Sequence, residues 1–387
     1  MDRQQKEKDL AALKIWQQHM YEQPVLRNLF FELTDSCNLH CQHCGSNCGA
    51  IGRFLDYSQI EKILYEVADR YDPKEIWICI TGGEPVLYPD LVKIVALSRK
   101  LGFYCGMTTN ATPIDADLAV RLAAAGLQTV GVSLDGLEQL HNQFRGDATA
   151  FQNALTGCRH MMAAGIPVVE PVTVAYPENL NSLPELYDFI LNFGFKSWKL
   201  TNVDPIGRAK QNDKLLLNAN QFDQMLDFIR QVRNENRIRV SYGCAHYLGL
   251  DDEKEVRRVY FQCGSGVFIA GVTCSGDYIG CLDVPRRPEF VQGNAATDDF
   301  CDVWENQYQI YRRDRSDGNP VCEKCEHHLY CMGDAMHTWD FDADRPGYCI
   351  HTMQSKAGRE KIRDNFKDIR VVYGPPKNFR PAPFKME

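Results

Sequence analysis

The stretch NLFFELTDSCNLHCQHCGSNCG (residues 28–49) joins a strand-like apolar run to a loop holding four of the chain's sixteen cysteines. Cys37, Cys41 and Cys44 follow that run in a C-x3-C-x2-C spacing. Thiolates this close together suit an iron–sulfur cluster or a zinc ion. A structural site wants four ligands, and Cys48 is at hand as a fourth. Three protein ligands would instead leave one metal position open to a reactant.

Outward from this loop the same unit recurs. Strand-like runs rich in β-branched and aromatic residues occur at 29–34, 75–81, 103–108, 129–134, 168–174 and 197–202. Amphipathic stretches of helical length follow them at 58–70, 90–101, 115–125, 150–164, 182–193 and 219–234. Ser58 and Asn181 or Ser182 have the chemistry of helix N-caps. Six β/α units in series imply a parallel sheet with helices outside. Eight would close a barrel, so the expected fold class is α/β, a partial (β/α)6 barrel of the TIM type. In such barrels chemistry gathers at the C-terminal ends of the strands. The unusual polar phrases fall there: the cysteine loop, TGGEP (81–85), TTN (108–110), SLDG (133–136) and KLTN (199–202).

Beyond residue 245 the alternation stops and cysteines return among glycines and turn-formers. That composition predicts a small domain held by metal rather than by a large core. The expected organisation is an N-terminal helical segment (1–27), the barrel (28–245), the cysteine-rich domain (246–355), and a C-terminal helix with a proline-rich tail (356–387).

The 387 residues are 44% hydrophobic, ample for a large core, and carry a formal net charge of −8. An acidic chain without a basic stripe argues against a general nucleic-acid surface. No apolar run reaches membrane-spanning length, and the N-terminus lacks a signal peptide's apolar core. A cytoplasmic location follows, with neither nucleic acid nor membrane as a partner. The cytosol keeps thiols reduced, so clustered cysteines point to metal. The isolated Cys79, Cys105 and Cys158 read as buried apolar residues.

The cysteine spacing, with His43 before the last thiol, resembles the radical S-adenosylmethionine (SAM) superfamily. GGEP, comprising Gly82, Gly83, Glu84 and Pro85, looks like that family's methionine-amine motif. GVSLDGLEQLHNQFRG (131–146) is similar to its fourth-strand segment, and PIGRA (205–209) is another recurring phrase. The resemblance implies that Cys37, Cys41 and Cys44 are catalytic, binding a [4Fe–4S] cluster whose fourth iron chelates SAM. It implies that Glu84 accepts the SAM ammonium, that Ser133 and Arg145 hold its carboxylate, and that Asp135 and Asn110 lie near the sugar. One electron then cleaves SAM to a 5′-deoxyadenosyl radical, which abstracts hydrogen from a substrate. A flavodoxin- or ferredoxin-type protein would donate the electron. Cys48 becomes a bystander on this reading.

The C-terminal cysteines resemble the SPASM domain, an extension carrying auxiliary [4Fe–4S] clusters. The likeness implies that Cys322, Cys325, Cys331 and Cys349 ligate one auxiliary cluster. Cys263 and Cys281 would belong to a second, but Ala335 stands where the family usually has a further Cys. Cys274, Asp334 or His337 would complete that site, or it keeps an open iron, or it is absent. The retained Cys263, Cys281 and Gly-x4-Cys phrase favour a bound cluster. A general base at Asp283 is a further option. A zinc knuckle or ribbon is the plainer alternative for each thiol set.

Three functions are open to such a chain. The first is peptide modification by crosslinking, oxidation or decarboxylation. About 27 residues precede the first strand, too few for a leader-peptide domain, so that reading requires a partner protein or direct recognition by the C-terminal domain. The second is dehydrogenation or decarboxylation of a small molecule or tetrapyrrole. The third, a non-catalytic metal scaffold, has no use for an amino-acid-binding rim.

Overall fold

Alternate residues of the parallel strands are sealed under helices while their neighbours face a more open side. Leu29 and Phe31, Ile78 and Ile80, and Val130 and Val132 form the sealed set. They pack against Ile60, Ile63, Ile94, Val95 and Leu122 of the surrounding helices in one apolar core. Burying such side chains stabilises by about 1.5–3 kcal/mol each. The computed structural model describes residues 3–243, 246–249, 255–257, 261–325 and 327–356. The expected tail beyond Lys356 lies outside the described residues.

The strands are β1 (Asn28–Glu32), β2 (Trp77–Thr81), β3 (Tyr104–Thr109), β4 (Thr129–Ser133), β5 (Val168–Ala175), β6 (Ser197–Asn202) and β7 (Arg239–Tyr242). They pair in parallel in that order. The helices between them are α2 (Tyr57–Arg70), α3 (Leu91–Leu101), α4 (Ala116–Ala125), α5 (Glu138–Arg145), α6 (Ala150–Ala163), α7 (Leu183–Phe193) and α8 (Ala219–Glu235), after an N-terminal α1 (Arg3–Glu22). The six expected strands are present. Two elements go beyond the sequence reading. The short RVSY run forms β7, and LEQLHNQFRG holds a separate helix, α5, before α6.

Two cap expectations change. Asp56, not Ser58, caps α2, accepting from the Ser58 N–H at 2.8 Å and from its hydroxyl at 2.7 Å. A single carboxylate oxygen, Oδ1, accepts both donors. Ser182 precedes α7, but its hydroxyl donates to the Asn179 carbonyl at 2.9 Å instead of capping.

The cysteine-rich region is not a detached layer. Its strand β8 (Ile269–Val272) pairs in parallel with β1, in the register Asn28 to Ile269 through Phe31 to Val272. The strands β9 (Asp277–Ile279) and β10 (Gly293–Asn294) continue the sheet antiparallel from β8. β1 therefore has a partner on both edges. The helix Phe300–Asn306 packs on α2, where Arg70 meets Asp302 at 3.0 Å and Glu305 at 2.8 Å.

Candidate active site

Loop residues 33–55 are stitched to the barrel by backbone pairing. Thr34 bridges to Phe54 and Ser36 to Gly49, and Cys37 N–H donates to the Gly49 carbonyl at 2.7 Å. GGEP holds this loop from below. Gly83 N–H donates to the Thr34 carbonyl at 2.6 Å and Glu84 N–H to that of Ser36 at 2.8 Å. A Cβ on Gly83 would sit 2.1 Å from the Ser36 carbonyl oxygen. The close approach that requires glycine is thus between GGEP and the cysteine loop, not only toward a ligand. Pro85 is buried at the start of a short turn that follows.

Glu84 is fully buried. Its carboxylate accepts from Thr109 Oγ1 at 2.6 Å, Asn110 N–H at 2.8 Å and Val86 N–H at 3.1 Å. Burial pushes its pKa up to about 7, against the lowering effect of these donors. The carboxylate is committed to the end of β3, so Glu84 positions Asn110. Asn110 Nδ2 donates to Asn38 Oδ1 at 2.9 Å and lies 4.0 Å from Cys37 Sγ.

Arg145 ends α5 and is buried. Its Nε and Nη2 donate to Asp135 Oδ2, both at 2.5 Å, and its Nη1 lies 3.6 Å from Cys41 Sγ. Asp135 Oδ1 accepts from Val174 N–H at 2.9 Å. Asp135 therefore aims Arg145 at the thiol loop, and each of its oxygens accepts a hydrogen bond. Ser133 ends β4, half-buried on the open face of the sheet.

Arg208 is the residue that motif reading left without a role. Its backbone N–H donates to the Cys44 carbonyl at 3.0 Å, its Nε to that of Cys41 at 2.7 Å, and its Nη1 to that of Cys48 at 2.9 Å. One planar fork thereby clamps the thiol-bearing loop. Gly207 permits this, with φ of +52° and a Cβ position 2.2 Å from the Cys44 carbonyl oxygen. The only sequence hint was the PIGRA phrase, whose partner lies about 160 positions away.

Cys48 lies against Cys44. Its thiol hydrogen-bonds Cys44, which lowers the Cys44 pKa to about 5 and raises that of Cys48. Burial pushes Cys37 up to about 11. His43 stacks on Phe144 at 4.4 Å, and Phe144 on Tyr176 at 4.1 Å. Burial, with Arg145 and Arg208 nearby, holds His43 neutral. Its buried Nδ1 has no hydrogen-bond partner among the described residues.

In the C-terminal region, Cys322, Cys325, Cys331 and Cys349 line one cavity, together with His327, His328, His351 and Asp334. Burial pushes Cys322 up to about 12 and raises Cys331 as well. Thiols so disfavoured as bare thiolates match a cationic occupant. Among the described residues no three Cys, His, Asp or Glu side chains converge as ligands of a single ion would. Thiolates of a cluster bind separate irons and stand farther apart. The three thiols of the first loop, flanked by Arg145, Arg208 and the unpartnered His43 nitrogen, fit a cluster with one open position.

Asp334 and His337 are placed differently from expectation. Asp334 Oδ1 accepts from Tyr247 N–H at 2.8 Å, and its Oδ2 lies 3.3 Å from His246 Nδ1. His246 Nε2 and His337 Nε2 each lie 3.1 Å from the two oxygens of Asp204. These four side chains form a buried polar chain beyond the end of β6. Sequence reading missed Asp204 and His246, because neither belongs to a spaced motif.

Residues 31–190 match the radical SAM superfamily. This chain carries a radical SAM domain and is an enzyme, and the cofactors of that superfamily are a [4Fe–4S] cluster and SAM. Among curated proteins it is 26% identical to an AdoMet-dependent heme synthase of Methanosarcina barkeri, over 84% of this chain and 96% of that protein. It is 27% identical to the mycofactocin maturase MftC of Mycobacterium tuberculosis, over 80% of this chain and 78% of that protein. Its fold matches anSMEcpe solved with AdoMet and the Cp18Cys peptide, with TM-score 0.67 and 20% identity over 86% of this chain and 95% of that one. It also matches Streptococcus suis SuiB bound to its precursor peptide SuiA, with TM-score 0.68 and 18% identity over 88% of this chain and 78% of that one. Among the described residues no helix is long and apolar enough to cross a membrane.

Proposed function

We propose that this enzyme modifies a peptide. Cys37, Cys41 and Cys44 hold the [4Fe–4S] cluster, and Cys322, Cys325, Cys331 and Cys349 hold an auxiliary one in a SPASM-like region. Gly82, Gly83, Glu84, Pro85, Asn110, Ser133 and Arg145 form the SAM site. The bound cluster supplies the electron that cleaves the SAM sulfonium and so starts hydrogen abstraction. The protein's own groups orient and exclude. Arg145, aimed by Asp135, offers a charged donor to the SAM carboxylate. Glu84 fixes Asn110, Arg208 fixes the loop, and the barrel keeps water from the reacting C–H. A flavodoxin- or ferredoxin-type donor delivers the electron, and neither nucleic acid nor membrane takes part.

The likeness to the mycofactocin maturase over 80% of the chain carries the peptide reading. A second reading, a tetrapyrrole substrate, draws on the heme synthase that the chain matches over 96% of that protein's length. The test uses anaerobically reconstituted enzyme with SAM and a chemical reductant. Methionine and 5′-deoxyadenosine are counted first, in wild type and in the Cys37/Cys41/Cys44→Ala triple variant. The triple variant is expected to lose cleavage and keep auxiliary iron; retained cleavage would refute the site. Mass spectrometry of short peptides encoded beside the gene, against an iron tetrapyrrole, then separates the substrates. Turnover of the tetrapyrrole alone would overturn the peptide reading.

A further inference from the structure

A second auxiliary cluster would need ligands around Cys263 and Cys281. The residue at the missing thiol position, Ala335, is 2% exposed. It packs with Tyr247, Phe261 and Tyr330, and Cys263 and Cys331 lie at the edge of that apolar group. Aromatic rings therefore occupy the ground beside Cys263.

The substitutes are engaged elsewhere. Both oxygens of Asp334 serve Tyr247 and His246. His337 is turned by Nε2 onto Asp204. Cys274 lies just beyond β8 at the end of β1, where its N–H donates to Glu32 at 3.2 Å. Among the described residues two thiols remain near this position, where a [4Fe–4S] cluster takes four ligands. An imidazole between two carboxylates is itself a filled arrangement. His246 has Asp204 on one nitrogen and Asp334 on the other, so it donates from both.

We infer that this protein holds two iron–sulfur clusters, and that the buried Asp204–His246–Asp334 chain with His337 stands in place of a third. The inference rests on the two cluster assignments proposed above and sets aside the sequence expectation for Cys263 and Cys281.

The test counts iron and sulfide, with the EPR of the reduced state, on the anaerobically reconstituted full chain. Wild type is expected to carry about eight irons, unchanged in number and spectrum in C281S, C263S/C281S and H337A. A wild-type count near twelve, or a loss of about four irons in any of these variants, would overturn it. Cys281 lies at the core's edge, so C281S decides the matter even where the double variant fails to fold. Failure of the SAM-site assignment shows separately, as iron retained in full by the Cys37/Cys41/Cys44→Ala variant.

Discussion

A single hydrogen between sulfurs separates Cys44 from Cys37. Cys48 donates to Cys44 and holds it near 5, while burial drives Cys37 to about 11. In protein free of iron, Cys48→Ala should return the Cys44 thiol toward the ordinary value near 8.5. Alkylation at pH 6, read by mass spectrometry, should then slow at Cys44 by tenfold or more; an unchanged rate would refute the hydrogen bond. At this scale the sequence showed the loop that carries Cys37, Cys41 and Cys44, because their spacing is local. It was opaque where partners are remote. Nothing local marks Arg208 as the clamp on the Cys41 and Cys48 carbonyls, or Asp135 as the carboxylate that aims Arg145. Glu84 was read as a ligand acceptor because its motif was visible and its three internal donors were not.

Elements were legible wherever they were long and periodic. The six expected strands rest on β-branched and aromatic runs, and α2 on its buried Ile60, Ile63, Leu64 and Val67. The four-residue β7 and eight-residue α5 are too short to show a period. The helix start at 56–58 was misread because both residues are cap formers, and only the backbone angles distinguish them. Asp56 carries the cap, so Asp56→Ala should lower the thermal midpoint more than Ser58→Ala. Thermal unfolding of the two variants checks the order, and a larger drop for Ser58→Ala would restore the first assignment.

Across the whole molecule, the barrel meets the C-terminal region through a chain of alternating charge. Burial alone would lower the pKa of His246, but hydrogen bonds to Asp204 and Asp334 outweigh it and raise it to about 9. His337 shifts the same way, its hydrogen bond to Asp204 outweighing burial. A raised histidine contributes stability in full below its ordinary value near 6.5 and loses it as pH climbs through about 9. Asp204 is held low by the two histidines against burial, so its share is lost only in acid. The melting temperature should therefore fall between pH 6.5 and 9.5, by an amount equivalent to at most roughly 3 kcal/mol. His246→Gln should flatten most of that slope. A wild-type profile flat over this range would refute the imidazolium. Composition and motif spacing gave no sign of this seam, which depends on residues more than 80 positions apart.

The parallel pairing of β1 with β8 also sets an order of events at the ribosome. Phe31 waits for Val272, about 240 residues later in the chain. At roughly 10 residues per second, synthesis leaves that strand edge bare for about 24 s. A bare edge invites pairing with another chain. The loop proposed to hold the first cluster has its first cysteine five residues after β1. On that proposal the nascent polypeptide offers its thiols before the edge beside them is covered, and assistance from chaperones is most needed in that interval.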